Sequence, residues 1–390
     1  MLILGIMSGT SLDGVDYALC DVRPGSIVLK RLWQARFPGR LQERLSKAAT
    51  GLAMSHEVGQ LHHDLGRFYA AEAVRGLRDA RPRAVGLHGQ TVFHQPMAPD
   101  SATFQIGEPA WLVEALRAPV VSNFRAADLA AGGQGAPLAS AFHQLVFGRR
   151  GEFVCVNNLG GISNVTAIDW RRTRQPRLLA FDTGPANVLL DIAVRHFSGG
   201  RRRIDRGGVS AARGQANEAL LGRWLRHPFF RCAPPKSTGS EMFGKAFWAA
   251  AWPAISAEDL QPLDTLATLT AFTARSIALN YRLHLRGKPD RVVLAGGGVA
   301  NRTLVQWISA ELAAWHPQVQ VFTSDQLGWP PQSVEPAAFA LLAWRRLHGL
   351  PGNEPATTGA RRHTLLGQLS QGVSPYDPQV IDPEWRLDKP

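Results

Sequence analysis

GIMSGTSLDGVD, residues 5–16, joins two apolar runs through a turn of small and polar residues. The run LILGIM before it reads as a strand, GVDYALCDV (14–22) as a second, and SIVLKRLWQARF (26–37) as a third. Short Gly-containing turns between such runs predict an antiparallel meander. Gly9 lets the backbone come close to an anion, and the N–H groups and hydroxyls of Thr10 and Ser11 can face phosphate oxygens. Asp13 and Asp16 are candidates to hold Mg²⁺ through water, because this cation keeps several waters beside one or two carboxylates. Taken alone, the stretch reads better as an ordinary hairpin turn.

The same plan returns later. EFVCVNNLGGISNVTAI (152–168) places Gly160 and Gly161 between two strand-like runs, suited to further phosphates. RVVLAGGG (291–298) ends a strand on Gly296, Gly297 and Gly298, and a helical pattern follows over 299–315. That turn, with Asn301, is flat enough to receive an adenosine. Apolar residues recur at helical spacing from Ser55, a candidate cap, to Ala80, and again over Val334 to Leu347. Gly and Pro crowd GGQGAPL (132–138), and a domain boundary is expected just before it. The division is 1–128 plus about 349–390 for one domain and 129–348 for the other.

Composition narrows the classes. The chain has 390 residues, 45% hydrophobic and 19% charged, enough to bury a core in two domains. No run of 18 uncharged apolar residues occurs, which excludes a membrane helix. No basic leader precedes MLILGIM, so a cytoplasmic protein without a signal peptide is expected. Cys20, Cys155 and Cys232 are far apart and make neither a metal pair nor a disulfide framework. The net charge of +12 raises a nucleic-acid partner, but 37 of the 43 basic residues are arginines scattered along the chain, as at 201–203. No nucleic-acid motif accompanies them, and solvated faces account for them.

Two other nucleotide motifs fail on context. GSEMFGKA (239–246) has P-loop spacing, yet Ala246 replaces the Mg²⁺-binding hydroxyl and the preceding CAPPKST is a poor strand. GGGVAN would need glycine where Asn301 stands to be a dinucleotide fingerprint. In LLAFDTGPANVLLD (178–191) a strand is expected to end at Asp182 and a helix to carry Pro185 in its first turn. A carboxylate there can be a general base or simply a helix cap. Glu335, opening the last helix, is open in the same way.

Two phosphate hairpins and a late adenosine turn resemble the sugar kinase/heat-shock-70/actin superfamily. The fuller set resembles the anhydro-N-acetylmuramic acid kinase family: GIMSGTSLDGVD, HGQTVFH (88–94), FQIGEPA, DLAAGGQGAPL, NNLGGISNV, FDTGPANVLLD, PPKSTGSEMF (234–243), LAGGGVAN and LPGNEPATTGA (350–360). The resemblance implies an α/β, two-domain actin-like ATPase fold of ribonuclease H-like halves with an interdomain nucleotide cleft. It implies a kinase that opens the 1,6-anhydro ring of 1,6-anhydro-N-acetylmuramic acid with water and phosphorylates O6, using ATP and Mg²⁺ in peptidoglycan recycling. By the same resemblance, Asp182 activates the water, Glu335 is a second acidic residue at the sugar and Thr91 binds the sugar. Gly9, Thr10, Ser11, Leu12, Asp13, Gly14, Val15 and Asp16 form the ATP-binding stretch. A homodimer is implied as well. Asn123 and Gly207 depart from the aspartates usual at those places, where altered loops or dimer contacts are expected. The alternatives are another sugar or acyl kinase of the superfamily, or an ATP-gated binding protein without turnover.

Overall fold

The computed structural model describes residues 1–9, 12–96 and 100–372. Thr10 and Ser11 therefore lie outside the described residues.

Alternating apolar runs fold into two sheets built on one plan. In the first, β1 (Leu2–Ser8), β2 (Gly14–Arg23) and β3 (Ser26–Arg36) form the expected antiparallel meander. β4 (Ala84–His88) then lies parallel to β1 and β7 (Val120–Ser122) parallel to β4. In the second, β8 (Phe153–Leu159), β9 (Ile162–Asp169) and β10 (Arg177–Pro185) make another meander. β11 (Arg291–Ala295) runs parallel to β8, and β12 (Gln320–Thr323) parallel to β11. The five-strand orders β3-β2-β1-β4-β7 and β10-β9-β8-β11-β12 are the same, which is the duplicated ribonuclease H-like plan of the actin-like ATPases. A separate hairpin, β5 (Gln90–Gln95) with β6 (Ala102–Ile106), leaves the end of β4, and β13 (Gln368–Ser370) adds to β7.

The helix Val334–Leu347 follows the second sheet in sequence yet packs on β1, β2 and β4 of the first. Two glycines in neighbouring strands make room for it. A Cβ at Gly5 would stand 1.7 Å from the Pro336 carbonyl oxygen, and one at Gly86 2.2 Å from that of Phe339. One apolar cluster therefore spans both sheets, holding Ile3 and Cys20 of the first, Val154 and Val293 of the second, and Phe339 and Leu342 of the helix between them. No helix among the described residues is long and apolar enough to cross a membrane.

Three local expectations change. β10 does not end at Asp182 but runs through a bulge between Asp182 and Gly184 to Pro185, and the next helix is Asn187–Phe197. As an edge strand, β10 tolerates a proline that donates no hydrogen bond. Ser55 is the first helical residue rather than the cap; Glu57 instead accepts the Met54 N–H at 2.7 Å. The helical pattern over 299–315 is a 3₁₀ turn, Gly297–Ala300, followed by the helix Arg302–Trp315. Elsewhere, Asn123 adopts a left-handed backbone (φ 54°), which asparagine tolerates better than most residues. No strand precedes GSEMFGKA, which forms the helix Ser240–Phe243 and the start of the next one.

Candidate active site

The strand plan puts the three glycine turns at the same end of the two sheets. The turn after β1 and the Gly160-Gly161 turn after β8 occupy equivalent places, and Gly297 follows parallel strand β11 as Gly89 follows β4. Ligands of open α/β sheets collect at this carboxyl end of the strands.

The glycines divide by what surrounds them. A Cβ at Gly14 would meet the Ala35 carbonyl oxygen at 2.4 Å, and Val15 is buried, so both serve the packing of β2. Gly296 and Gly298 pack on the second hairpin, where a Cβ would meet Asn158 Oδ1 at 2.2 Å and Leu159 Cβ at 2.7 Å. Gly297 has nothing within 4 Å, and Gly161 only Val188 Cβ at 3.8 Å. Both glycines are exposed, and the Gly161 carbonyl accepts the Ala186 and Val188 N–H groups at 3.0 and 3.1 Å. The Gly160 carbonyl is tied to the next helix by the Asn187 N–H at 3.1 Å and the Asn187 side chain at 2.8 Å. Asn301 caps the helix that follows, accepting the Leu304 N–H at 3.0 Å, which occupies its side-chain oxygen. Leu12 lies partly buried, its carbonyl accepting from Gln42 at 2.8 Å.

The first half gathers charge around Glu335. Burial pushes the Asp16 carboxyl up to about 6, Gln34 opposes this with a hydrogen bond, and the charge of Asp13 adds to it. Burial also raises Glu335, with Asp16 adding to the rise and Arg125 opposing it. Arg125 donates through Nε to His88 Nε2 at 3.0 Å and through Nη1 to the Gly135 carbonyl at 2.6 Å. Burial lowers its guanidinium to about 10 against the pull of Glu335 and Asp128. Since His88 Nε2 accepts, that ring is neutral, and burial with Arg125 nearby holds it well below the usual histidine range. Thr91 is the second residue of β5, its hydroxyl accepting from Gln105 at 3.4 Å, and His94 on the same hairpin bonds Thr103 at 3.0 Å.

The second half builds a different cluster on Asp182. At the edge of the sheet, beside the bulge in β10, the Asp182 N–H donates to the Lys236 carbonyl at 3.0 Å. The Thr238 N–H returns to Asp182 Oδ2 at 2.7 Å. A three-residue strap, 236–238, thus lies along the half-buried carboxylate. Burial pushes Asp182 up to about 7; the Thr238 N–H opposes this, Glu241 adds to it and Lys236 pulls it down. Lys236, 7% exposed, donates to the Phe229 and Phe230 carbonyls at 3.0 and 3.2 Å and sits 3.2 Å from His284 Nε2. Burial lowers its ammonium to about 8. The two acidic candidates therefore stand in separate groups: Glu335 with Asp16 and Arg125, Asp182 with the strap and Glu241.

Asp16 is raised partly by Asp13, and Asp191 on the helix Asn187–Phe197 is raised to about 6 by burial, against Arg195 and with Asp13 adding. Among the described residues no group of three acidic, histidine or cysteine side chains is placed to hold a metal ion, so a cation here would depend on water and phosphate for most of its ligands. Sequence reasoning assigned no role to Arg125, His88, Lys236 or Thr238. HGQT and PPKST were visible signals, but the partners of these residues are distant in the chain.

The family model for anhydro-N-acetylmuramic acid kinase matches residues 1–372. The anhydro-N-acetylmuramic acid kinase of Synechocystis sp. is 38% identical over 383 residues, covering 95% of this chain and 98% of its own. That of Gloeobacter violaceus is 41% identical over 382 residues, covering 94% and 98%. Among solved structures, the activator of the 2-hydroxyisocaproyl-CoA dehydratase from Clostridium difficile with bound ADPNP overlaps at a TM-score of 0.44 and 13% identity, covering 90% of this chain and 96% of its own. On the family match and these relatives, the chain belongs to the anhydro-N-acetylmuramic acid kinase family.

Proposed function

We propose that this chain adds water to C1 of 1,6-anhydro-N-acetylmuramic acid and moves the γ-phosphoryl group of ATP to O6. N-acetylmuramic acid 6-phosphate and ADP leave. The observation that carries this reading is the state of Asp182, with one oxygen pinned by the Thr238 N–H and a carboxyl pushed up to about 7. A base that titrates near neutrality is matched to taking a proton from water. As Asp182 takes that proton, the water oxygen bonds to C1 and the C1–O6 bond breaks, as in inverting glycosidases. The departing O6 is itself the phosphoryl acceptor, so no free alkoxide has to be released. Glu335 and Thr91 are assigned to the sugar, with the Arg125 guanidinium beside Glu335.

The ATP phosphates are assigned to the turn at Gly9 through Asp16 and to Gly160 and Gly161, and the adenosine to Gly296, Gly297, Gly298 and Asn301. Thr10 and Ser11 belong to the same assignment and lie outside the described residues. Asp13 or Asp16 would hold Mg²⁺ through water, and the ion would supply charge neutralisation at the phosphates. Two sheets of one plan support two units divided near residue 128, with the helix Val334–Leu347 lying on the first. Closure of the units around the sugar would exclude water from the phosphoryl group. The reading extends to a cytoplasmic homodimer, which light scattering on the purified chain tests.

A coupled ADP-release assay tests the activity. Turnover with the anhydro sugar and none with N-acetylmuramic acid or glucose is expected. Equal turnover with glucose would replace this reading with that of a general sugar kinase.

A further inference from the structure

The strap beside Asp182 contains a polar atom that nothing among the described residues uses. Among the described residues, Thr238 Oγ1 is buried and has no hydrogen-bond partner, although its own backbone N–H holds Asp182 Oδ2 at 2.7 Å. A hydroxyl buried without a partner costs about 1–3 kcal/mol, and such a group calls for an explanation. The strap that carries it is pinned on both sides. Behind it, the Asp182 N–H and the Lys236 ammonium fix residue 236 to β10 and to the Phe229–Phe230 turn. In front, the Ser237 hydroxyl donates to Gln134 Oε1 at 2.9 Å, from the loop that follows Asp128. The Thr238 backbone is thus held in place beside the carboxylate.

We propose that Thr238 is a positioning residue for the attacking water, its hydroxyl taking one hydrogen of the water while Asp182 takes the other. The proposal rests on the reading of Asp182 as the base. A water with one O–H directed to the free oxygen of Asp182 and the second to Thr238 Oγ1 has a single orientation left. In the step itself, the first proton passes to Asp182, the oxygen bonds to C1, the C1–O6 pair moves onto O6, and O6 accepts the phosphoryl group as ADP departs. Thr238 gains and loses no proton. It acts on the orientation of the nucleophile and not on the charge of the base, because its backbone N–H already serves Asp182 and no side-chain substitution removes that bond.

This separates its signature from that of a residue that only supports the fold. The charged groups acting on Asp182 are Lys236 of the strap and Glu241 of the helix Ser240–Phe243. His284, from the helix Pro262–His284, and Cys232 reach it only through Lys236. A Thr238 substitution leaves all of them in place, so the acid limb of the kcat profile keeps its midpoint.

The test measures kcat, the KM for ATP and the pH profile of Thr238→Val and Thr238→Ser by ADP release. Thr238→Val should lose about 10- to 100-fold in kcat, with an unchanged KM for ATP and an unmoved acid limb, as expected when one orienting contact is removed. Thr238→Ser, which keeps the hydroxyl, should recover to within about threefold of wild type. Thr238→Ala carries the same expectation should the valine variant not fold. Wild-type kcat in Thr238→Val, or a serine variant as slow as valine, would overturn the proposal. An inactive Asp182→Asn beside a fully active Thr238→Val would overturn the water site alone. An active Asp182→Asn would overturn the base, and the water site with it.

Discussion

Ser237 of the strap beside Asp182 donates its hydroxyl to Gln134 Oε1, 103 residues earlier in the chain, at 2.9 Å. Gln134 is in turn fixed to the tail, its N–H donating to the Thr358 carbonyl at 2.8 Å. Below it, the fully buried Asp128 accepts from Asn353 and the Thr358 hydroxyl through one oxygen and from the Gly135 N–H through the other, each at 2.8 Å. A run of hydrogen bonds therefore leads from the tail motif NEPATT to the carboxylate assigned as base. The tail holds the loop, the loop holds the strap, and the strap holds Asp182.

Asp128→Asn should lower stability. One amide oxygen cannot accept all three donors, and its NH₂ would face them. Each donor left unsatisfied costs about 1–3 kcal/mol. Urea unfolding should show a loss of that order with an unchanged slope; a variant as stable as wild type would mean the tail is not held through this residue.

The acid limb of kcat/KM should fall near pH 7, where Asp182 takes up its proton. Lys236 pulls that carboxyl down and Glu241 pushes it up. Lys236→Met should therefore move the limb to higher pH, and Glu241→Gln to lower pH. Shifts in the same direction for both variants would show that the limb belongs to another group.

Asp182→Asn should abolish turnover, by a factor of about 10²–10⁴ if a general base is lost, and should leave ATP binding nearly intact. A variant keeping a tenth of the wild-type rate would remove Asp182 from that role. The folded-state carboxyl titrates at about 7 and the ordinary one at 3.8. Its contribution to stability is therefore full below about pH 4 and is lost as pH rises through 7. The variant's gain in Tm should thus be larger at pH 8 than at pH 4, and a gain independent of pH would contradict the raised carboxyl.

Gly161→Ala and Gly297→Ala should fold with unchanged Tm, since a Cβ at either meets at most one atom at ordinary contact distance. Both should raise the Kd for ATP by about tenfold, equivalent to about 1.4 kcal/mol, if backbone there meets the nucleotide. Gly298→Ala differs, because its Cβ would stand 2.7 Å from Leu159 Cβ, and a lower Tm is expected. Unchanged ATP binding in the first two variants would take the nucleotide off these turns.

Much of the fold was legible because its signals are local. Both meanders follow from short apolar runs broken by glycine, and the helix Val334–Leu347 matches its periodic stretch residue for residue. What was not legible depends on contacts between distant parts. That this helix returns to the first sheet depends on Gly5 and Gly86, whose missing side chains matter only once the helix lies over them. β10 runs past Asp182 because an edge strand tolerates Pro185, which in sequence looked like a helix start. In the site, glycine spacing marked the turns but could not tell open Gly297 from packed Gly298. Nor could spacing bring Thr238 to Asp182, 56 residues away.

Turnover in ¹⁸O-labelled water tests the account most directly, because it follows the oxygen that Asp182 is said to activate. Mass spectrometry of the product should find one label on the C1 hydroxyl of N-acetylmuramic acid 6-phosphate and none in its phosphate. An unlabelled C1 hydroxyl would mean that water does not open the ring, and label in phosphate would mean that water attacks ATP instead; either would contradict the account.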